Sequence, residues 1–236
     1  MKNQYLEAEF GDFFAVLGRW KELKPAEIAL RDDKSEVSWQ ELAEKVDRIA
    51  SHLIDTGLKR GQSVAILGTS CVNYALIFLA AVRAGGVAAP LTTSATREQL
   101  EGMARDSGAI HLFIDLAKSK ELGPDFLPGL KHIAIENIGE WTGVEQIKAK
   151  FSEPKPDDPF NIIYSSGTTG MPKGIIHSHM MRWRQFAPTA VSYLKNDIEV
   201  RSLASTPLYS NTTMVAFLAS LLAGGTVNIM GKFNTL

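Results

Sequence analysis

The feature that most restricts the fold of this chain is a repeated alternation between helices and short apolar strands. Leu42, Val46 and Ile49 recur on one face of a predicted helix, and the apolar strand SVAIL follows at Ser63–Leu67. Parallel strand neighbours need long, right-handed crossover connections, and helices of about ten residues or more supply them here. The alternation therefore predicts an α/β fold with mainly parallel sheets that are covered on both faces.

Two helix starts carry a complete capping pattern. Ser38 stands three residues before Glu41, and Thr96 stands three residues before Gln99. In such a capping box, each side chain accepts a hydrogen bond from the free backbone N–H group of the other residue. We therefore predict helices that begin directly after Ser38 and Thr96.

A proline-rich segment interrupts the alternation. The segment SEPKPDDP, Ser152–Pro159, contains three prolines and four charged residues, so neither a helix nor a central strand can run through it. We predict a first α/β subdomain at residues 1–151, a linker at 152–160, and the incomplete start of a second α/β subdomain at 161–236.

Two stretches of the chain resemble each other. FLAAVRAGGVAAPL (Phe78–Leu91) and FLASLLAGGTVNIM (Phe217–Met230) share an apolar helix, an Ala-Gly-Gly break and a following strand. This similarity predicts that the two layered α/β subdomains are alike. A chance similarity between two common helix–strand units is the alternative, because two copies are too few to define a repeat architecture.

Composition excludes several kinds of partner. Among the 236 residues, 25 basic side chains nearly balance 26 acidic ones, and the basic ones are scattered, so nothing indicates a nucleic-acid surface. No run reaches the roughly eighteen apolar residues that a membrane span needs, and the N-terminus lacks an apolar leader. The lone Cys71 indicates a buried, inert thiol. These features predict a cytoplasmic protein and leave homo-oligomerisation open.

The segment YSSGTTGMPKG, Tyr164–Gly174, is the richest in chemistry. It combines three glycines with two serines, two threonines and Lys173. Glycine lets the backbone curl so that successive N–H groups face a bound anion, while hydroxyls and a lysine add further donors. A polyphosphate such as that of a nucleotide fits this pattern, and a flexible surface turn is the alternative. The segment is not a nucleoside-triphosphatase P-loop, because no Ser or Thr follows the lysine.

This segment closely resembles the phosphate loop of the acyl-adenylate-forming superfamily, which includes acyl- and aryl-CoA synthetases, peptide-synthetase adenylation domains and beetle luciferases. The resemblance extends over most of the chain. VSWQELAEKVDRIASHLIDTGLKRGQSVAIL is similar to the family's opening helix and strand, FLAAVRAGGVAAPL to its second block, and STPLYSNTTM to the block after the loop. The resemblance implies the N-terminal part of the large domain of an AMP-dependent synthetase or ligase.

The resemblance also implies a two-step reaction. A carboxylate attacks the α-phosphate of magnesium-bound ATP to give an acyl-adenylate and pyrophosphate, and a thiol such as coenzyme A then displaces AMP. ATP, Mg²⁺ and coenzyme A are the implied cofactors, and a small carboxylic acid is the implied substrate. The residues that the resemblance assigns to the ATP phosphates are Ser165, Ser166, Gly167, Thr168, Thr169, Gly170 and Lys173.

The chain departs from the family pattern towards its end. It contains neither the Tyr-Gly-x-Thr-Glu segment that holds adenine and magnesium in the family nor the Tyr-x-x-Gly-Asp segment that binds ribose. The resemblance places these segments, and the catalytic lysine, beyond Leu236. We therefore expect an N-terminal fragment of a longer ligase, with no catalytic residue or metal ligand of its own and no activity in isolation.

The resemblance places an acid pocket near Tyr209, Ser210 and Asn211, where many family members carry an aromatic residue or a histidine. Asn211 as the N-cap of the following helix is the alternative for that position. His177 and His179 stand two residues apart. Without a third ligand nearby, they indicate a strand end and a helix start rather than a metal site.

Three functions follow from these observations. The leading one is the N-terminal part of an ATP-dependent acid–CoA ligase of fatty or aromatic acid metabolism. The second is an amino-acid-activating adenylation domain that feeds a carrier protein. The third is a non-catalytic homologue that binds a nucleotide or a partner protein. The family's residues that would separate the first two lie mostly beyond Leu236.

Overall fold

Helices and strands alternate along most of the described chain. A computed structural model describes residues 5–143, 149–165 and 171–231. The helices are α1 (Phe13–Leu23), α2 (Trp39–Asp55), α3 (Val72–Arg83), α4 (Arg97–Asp106), α5 (Leu116–Leu122), α6 (Ile138–Thr142), α7 (His179–Lys195), α8 (Asn211–Met214) and α9 (Ser220–Leu222). A π-helical turn at Val215–Ala219 joins α8 to α9. Within the described ranges, no helix combines the length and the apolar character needed to cross a bilayer.

The strands form two sheets. They are β1 (Ile28–Arg31), β2 (Glu36–Ser38), β3 (Ser63–Leu67), β4 (Val87–Leu91), β5 (Ala109–Ile114), β6 (Lys131–Ala134), β7 (Pro159–Ser165), β8 (Lys173–Ser178), β9 (Arg201–Ala204) and β10 (Thr226–Ile229). Among the described residues, one sheet has the order β6-β5-β3-β4-β7-β8 and the other β2-β1-β10-β9. Apart from β7–β8 and β1–β2, the pairs in this part of the chain are parallel. The predicted α/β fold with mainly parallel sheets is confirmed.

Each sheet draws strands from both sides of the predicted linker at residues 152–160. β7 begins at Pro159, inside that segment, and β8 follows it, and both extend the six-stranded sheet beside β4. β1 and β2 precede the segment but join β9 and β10. Leu30 of β1, for example, pairs with Val227 of β10. The sheets therefore do not follow the division into residues 1–151 and 161–236. Whether residues 1–151 and 161–236 fold as separate units stays a prediction.

Helix α3 lies where the elements of the two sheets meet. Its residues from Tyr74 to Val82 are all buried, which is expected of a helix that is apolar on every side. The ring of Phe78 packs on Phe160 of β7, with 6.1 Å between ring centroids, and on Phe217 of the π-helical turn at 6.0 Å. The π-helical turn in turn contacts β9, because Ser202 Oγ donates to the Ala216 carbonyl oxygen. Phe78 therefore connects the cores beneath both sheets.

Both predicted capping boxes are confirmed. Ser38 Oγ accepts from the Glu41 N–H at 3.2 Å, and Glu41 Oε2 accepts from the Ser38 N–H at 2.8 Å. Thr96 and Gln99 form the same reciprocal pair at 3.3 and 3.0 Å. The helices α2 and α4 begin where the sequence predicted, because these side chains satisfy backbone donors that the first helical turn leaves free.

Cys71 is the N-cap of α3. Its Sγ accepts from the Tyr74 N–H at 3.4 Å. Burial raises the pKa of this thiol to about 11, so it stays protonated at neutral pH. A protonated thiol is a poor nucleophile, and this agrees with the inert role expected from the sequence.

Candidate functional site

The β7–β8 hairpin presents the glycine-rich segment. β7 ends at Ser165 and β8 begins at Lys173, and these two residues face each other across the antiparallel ladder. Residues in direct register project to the same side of a sheet, so the side chains of Ser165 and Lys173 lie on the same side of the hairpin. The other predicted phosphate-binding residues lie outside the described residues; they are Ser166, Gly167, Thr168, Thr169 and Gly170.

Lys173 is exposed at the start of β8. Within residues 5–143, 149–165 and 171–231, its ammonium group makes no hydrogen bond and no ion pair. A lysine ammonium is a compact, mobile point charge, and one without a protein partner is free to bind an anion. The assignment of Ser165 and Lys173 to ATP phosphates stays a prediction that this geometry allows.

Helix α4 fixes the base of the hairpin. The Tyr164 hydroxyl lies 2.9 Å from both the Met103 carbonyl oxygen and Asp106 Oδ2. Burial raises the pKa of Tyr164, with a further contribution from Asp106, so the hydroxyl is a neutral donor. Opposite Tyr164 stands Gly174, where a Cβ atom would lie 3.0 Å from Asp106 Oδ2 and 3.1 Å from the Tyr164 ring. Both strands of the hairpin are therefore held against the end of α4.

A cavity joins the hairpin to the segment predicted as an acid pocket. Its volume is about 380 Å³, which lies within the range of small-molecule sites. Its lining residues are Thr92, Ser94, Ala95, Gln99, Ile163, Tyr164, Ser165, Pro172, Tyr209, Ser210 and Asn211. Ser165 was predicted to bind phosphate and Tyr209–Asn211 to bind the acid. The fold brings these separate predictions to one cavity.

Sequence reasoning missed three polar residues of this cavity, Thr92, Ser94 and Gln99. Thr92 and Ser94 follow β4 directly, and their hydroxyl oxygens lie 3.0 Å apart. Because β4 and β7 are parallel neighbours, their carboxyl ends meet at one edge, where open α/β sheets bind ligands. The polar run Thr-Thr-Ser after the buried strand VAAPL was the sequence feature that could have revealed them.

Asn211 begins α8 but does not cap it. Ser210 occupies the N-cap position, and Asn211 Oδ1 instead accepts from Arg182 Nη1 at 2.8 Å. The N-cap interpretation of Asn211 is therefore wrong, whereas its place in the cavity wall is compatible with the acid-pocket prediction. Arg182, which the sequence did not single out, is buried and also donates from Nε to Asn161 Oδ1 at 2.8 Å.

His177 and His179 lie on different elements. His177 belongs to β8, and His179 is the first residue of α7, whose N-cap is Ser178. Burial lowers the pKa of both imidazoles, that of His179 to about 4, so both are neutral near pH 7. In the part of the chain that the structure describes, no group of three His, Cys, Asp or Glu side chains could hold a metal ion.

Solved structures share this fold. O-succinylbenzoate coenzyme A synthetase from Bacillus subtilis, in complex with AMP, has a TM-score of 0.77 and 24% identity over 93% of this chain and 56% of that chain. The N-terminal domain of FACL13 from Mycobacterium tuberculosis has a TM-score of 0.79 and 22% identity over 94% of this chain and 58% of that chain. These similarities show a common architecture.

Curated relatives are larger proteins. One of the plipastatin synthase subunits from Bacillus subtilis (strain 168) is 30% identical over 182 residues, which are 73% of this chain and 7% of that protein. A 2-succinylbenzoate–CoA ligase from Bacillus cereus (strain AH820) is 27% identical over 213 residues, which are 90% of this chain and 42% of the ligase. The chain thus spans less than half the length of these curated relatives.

The family comparison covers nearly all of the chain. The model of the AMP-binding enzyme family matches residues 17–236. That range contains both sheets, the hairpin and every residue named above as lining the cavity. The membership predicted from YSSGTTGMPKG is confirmed, and this chain belongs to the AMP-binding enzyme family.

Proposed function

We propose that the complete protein containing this chain is an acid–thiol ligase, which converts a carboxylic acid to an acyl-adenylate with ATP and then transfers the acyl group to coenzyme A. The observation that carries the proposal is the cavity in which Ser165 and Pro172 of the hairpin meet Tyr209–Asn211. A carboxylate reaches the α-phosphate only if the acid and phosphate sites adjoin, and holding two reactants in place supplies much of a catalytic effect.

Charge neutralisation is the main task of the phosphate side. The attacking carboxylate and the triphosphate are both anions, and negative charge grows on the pyrophosphate as its bond to the α-phosphate breaks. A cation near that leaving group stabilises the transition state. Lys173 is exposed and has no side-chain partner among the described residues, so its ammonium would hold the β- or γ-phosphate. Mg²⁺ bound with ATP would add positive charge to the same phosphates.

Other residues of the cavity would position the acid. Tyr209, Ser210 and Asn211 line the same cavity as the hairpin residues, and so do Thr92 and Ser94. These groups are neutral donors and acceptors. They can orient a carboxylate by hydrogen bonds without lowering its nucleophilicity as strongly as a direct ion pair would.

The relatives support this assignment of ligands. Structures of the Bacillus subtilis synthetase contain AMP, or ATP and a magnesium ion, and the 2-succinylbenzoate–CoA ligases support coenzyme A as the acceptor. We place the reaction in the cytoplasm, in the metabolism of fatty or aromatic acids. The 236 residues alone are proposed to be inactive, because they lack the segments that the family resemblance assigns to magnesium and ribose.

A second function has its own support. The similarity to plipastatin synthase and to gramicidin S synthase 2 from Brevibacillus brevis favours an amino-acid-activating adenylation domain that feeds a carrier protein. A non-catalytic homologue that binds a nucleotide or a partner is the third candidate. The three differ in the acid that is activated and in the acceptor, so one assay series separates them.

The test is ATP–pyrophosphate exchange by the complete protein with matched fatty, aromatic, dicarboxylic and amino acids. Exchange with one or more non-amino acids, followed by thioester formation with free coenzyme A, is the expected result. Exchange confined to amino acids, with transfer to a carrier protein, would support the second candidate. Nucleotide binding without exchange for any acid would support the third, and exchange by residues 1–236 alone would contradict the proposed inactivity of the fragment.

A further inference from the structure

Arg182 carries a buried guanidinium whose hydrogen bonding is incomplete. The residue is 2% exposed. Its Nε donates to Asn161 Oδ1, and its Nη1 donates to Gln185 Oε1 and Asn211 Oδ1, each at 2.8 Å. Its Nη2 is buried and has no hydrogen-bond partner in the described part of the chain. A guanidinium offers five N–H donors in a fixed fork, and in Arg182 the donors on Nη2 remain unpaired.

The charge of Arg182 has no acidic partner in these contacts. Burial lowers its pKa to about 10, so the group stays protonated at neutral pH. All three acceptors that it contacts are side-chain amides, and the ion pairs formed by the described residues do not include it. A buried charge is costly unless an opposite charge compensates it. A ligand that brings a negative charge would remove this cost.

The guanidinium lies directly behind the wall of the cavity. Successive side chains of a strand alternate between faces, so Asn161, Ile163 and Ser165 of β7 project to the same side. Ile163 and Ser165 line the cavity, and Asn161 holds Arg182 Nε. On the other side, Asn211 lines the cavity and holds Arg182 Nη1. Arg182 is not itself a lining residue of the cavity; it lies behind the cavity wall, in direct contact with Asn211.

Two further buried nitrogen atoms near Arg182 have no hydrogen-bond partner among the described residues. The amide nitrogen Nδ2 of Asn161 and Nδ1 of His177, which faces Asn161 in the β7–β8 ladder, are buried and make no hydrogen bond among the described residues. Asn161 Nδ2 is a donor, like Arg182 Nη2. Unpaired buried donors next to an uncompensated cation are an arrangement that an anionic acceptor would complete.

We propose that Arg182 selects an acid substrate that carries a second carboxylate, which binds the Nη1 and Nη2 edge of its guanidinium while the first carboxylate is activated near the hairpin. The second carboxylate takes the place of Asn211 Oδ1 on Nη1 and adds a bond to Nη2, which is the paired geometry that guanidinium and carboxylate prefer. The inference deepens the proposed function and rests on it, because it names the substrate class of the same cavity. A purely structural clamp between β7, α7 and α8 is the competing explanation.

The test compares diacids with their own monomethyl esters, which differ by one negative charge at nearly constant shape. Succinate, glutarate, adipate, phthalate and terephthalate, and their monoesters, are titrated calorimetrically into the complete protein in the presence of α,β-methylene-ATP. We expect at least one diacid to bind about tenfold or more tightly than its monoester. In Arg182→Met this preference falls to about one, because the diacid loses far more affinity than its monoester.

Arg184→Met is the matched control. Arg184 lies on the same helix but is exposed and pairs with Glu9, so the preference for the diacid should survive its loss. A structural clamp would lower the affinity for diacid and monoester alike. Equal preference in wild type and Arg182→Met, or no preferred diacid in the wild type, would overturn the proposal.

Asn211→Asp keeps the test decisive if Arg182→Met does not fold. It places a carboxylate where Asn211 Oδ1 already lies 2.8 Å from Nη1, so the cation is neutralised from within. We expect a higher Tm and loss of the diacid preference, and a retained preference would contradict the inference. Pyrophosphate exchange with monocarboxylic acids alone would sink the diacid inference but not the ligase function, whereas no exchange with any acid would sink the function itself.

Discussion

Lys173 and Arg182 are the two cations to which we assign roles in the proposed reaction, and their surroundings are opposite. Lys173 is exposed beside the glycine-rich segment and has no side-chain partner among the described residues, whereas Arg182 is buried and held by three amides. A mobile charge suits a group that leaves after the first step, as pyrophosphate does. A fixed charge suits a group that must stay in place through both steps, as the acyl group does. The comparison matches the roles that we propose, leaving-group stabilisation for Lys173 and substrate selection for Arg182.

The largest expected effect is that of Lys173→Ala in the complete protein. Adenylation should slow by roughly 100-fold or more, because removing one donor to a developing charge has that order of effect. Thioester formation from preformed acyl-adenylate should be nearly unchanged, since pyrophosphate is present only in the first step. Single-turnover measurement of each step provides the check.

Lys195→Ala is the control for this change, because Lys195 is an exposed lysine that pairs with Glu7 on the surface. Its loss should leave both steps intact. Equal slowing of the two steps in Lys173→Ala would contradict the leaving-group role of Lys173. The lysine would then act on a group that is present in both steps, which pyrophosphate is not.

The stability of the buried start of α7, the helix that carries Arg182, is expected to depend on pH. Burial holds the pKa of His179 at about 4, below its value in an unfolded chain. As the pH falls from about 6.5 to 4, the unfolded state therefore binds a proton that the folded state does not, and the folded state loses up to about 3 kcal/mol. Above about pH 6.5 the imidazole is neutral in both states, so this loss of stability does not occur there.

His179→Gln should flatten the pH dependence of the free energy of unfolding in that window, as measured by urea denaturation at intervals between pH 4 and 7. An NMR titration of the His179 imidazole gives the same quantity directly. A midpoint near 6.5 would contradict the lowering of this pKa by burial at the start of α7.

The smallest effect concerns the support of the hairpin. Tyr164→Phe removes the hydroxyl that lies 2.9 Å from Met103 O and Asp106 Oδ2, and a hydrogen bond of this kind contributes about 1 kcal/mol to stability. We expect a matching fall in the free energy of unfolding. Tyr193→Phe on α7 is the matched control, since its hydroxyl makes no hydrogen bond within the described ranges. Equal losses in the two variants would mean that the contact with α4 does not hold the hairpin.

The sequence predicted what local chemistry determines. The capping boxes at Ser38 and Thr96, the helix–strand alternation and the glycine-rich segment each depend on residues close together in the chain. The pairing of β7 with β4 and of β1 with β10 depends on side chains far apart in sequence, and periodicity carries no information about such partners. Division at the proline-rich segment was therefore a reasonable expectation that the sheets do not follow.

Arg182 shows the same limit at the level of one residue. It lies two positions from Arg184 in the run HMMRWRQF, and the two side chains are chemically identical. One is buried against Asn161 and Asn211, and the other is exposed beside Glu9. Which arginine points inward depends on the rotation of α7 against β7, and that rotation is set by packing of residues such as Trp183 and Phe186. The charge could be read from the sequence, but its burial could not.

The pairing of β1 with β10 has a consequence for synthesis of the chain. Leu30 leaves the ribosome early, whereas its partner Val227 follows only after nearly all the other strands have been made. Until then, β1 has only β2 beside it, and an isolated two-stranded hairpin is marginally stable. Contacts so distant in sequence slow folding and leave strand edges open to wrong partners. Among the described strands, the β1–β2 hairpin is therefore synthesised first but is one of the last to complete its pairing.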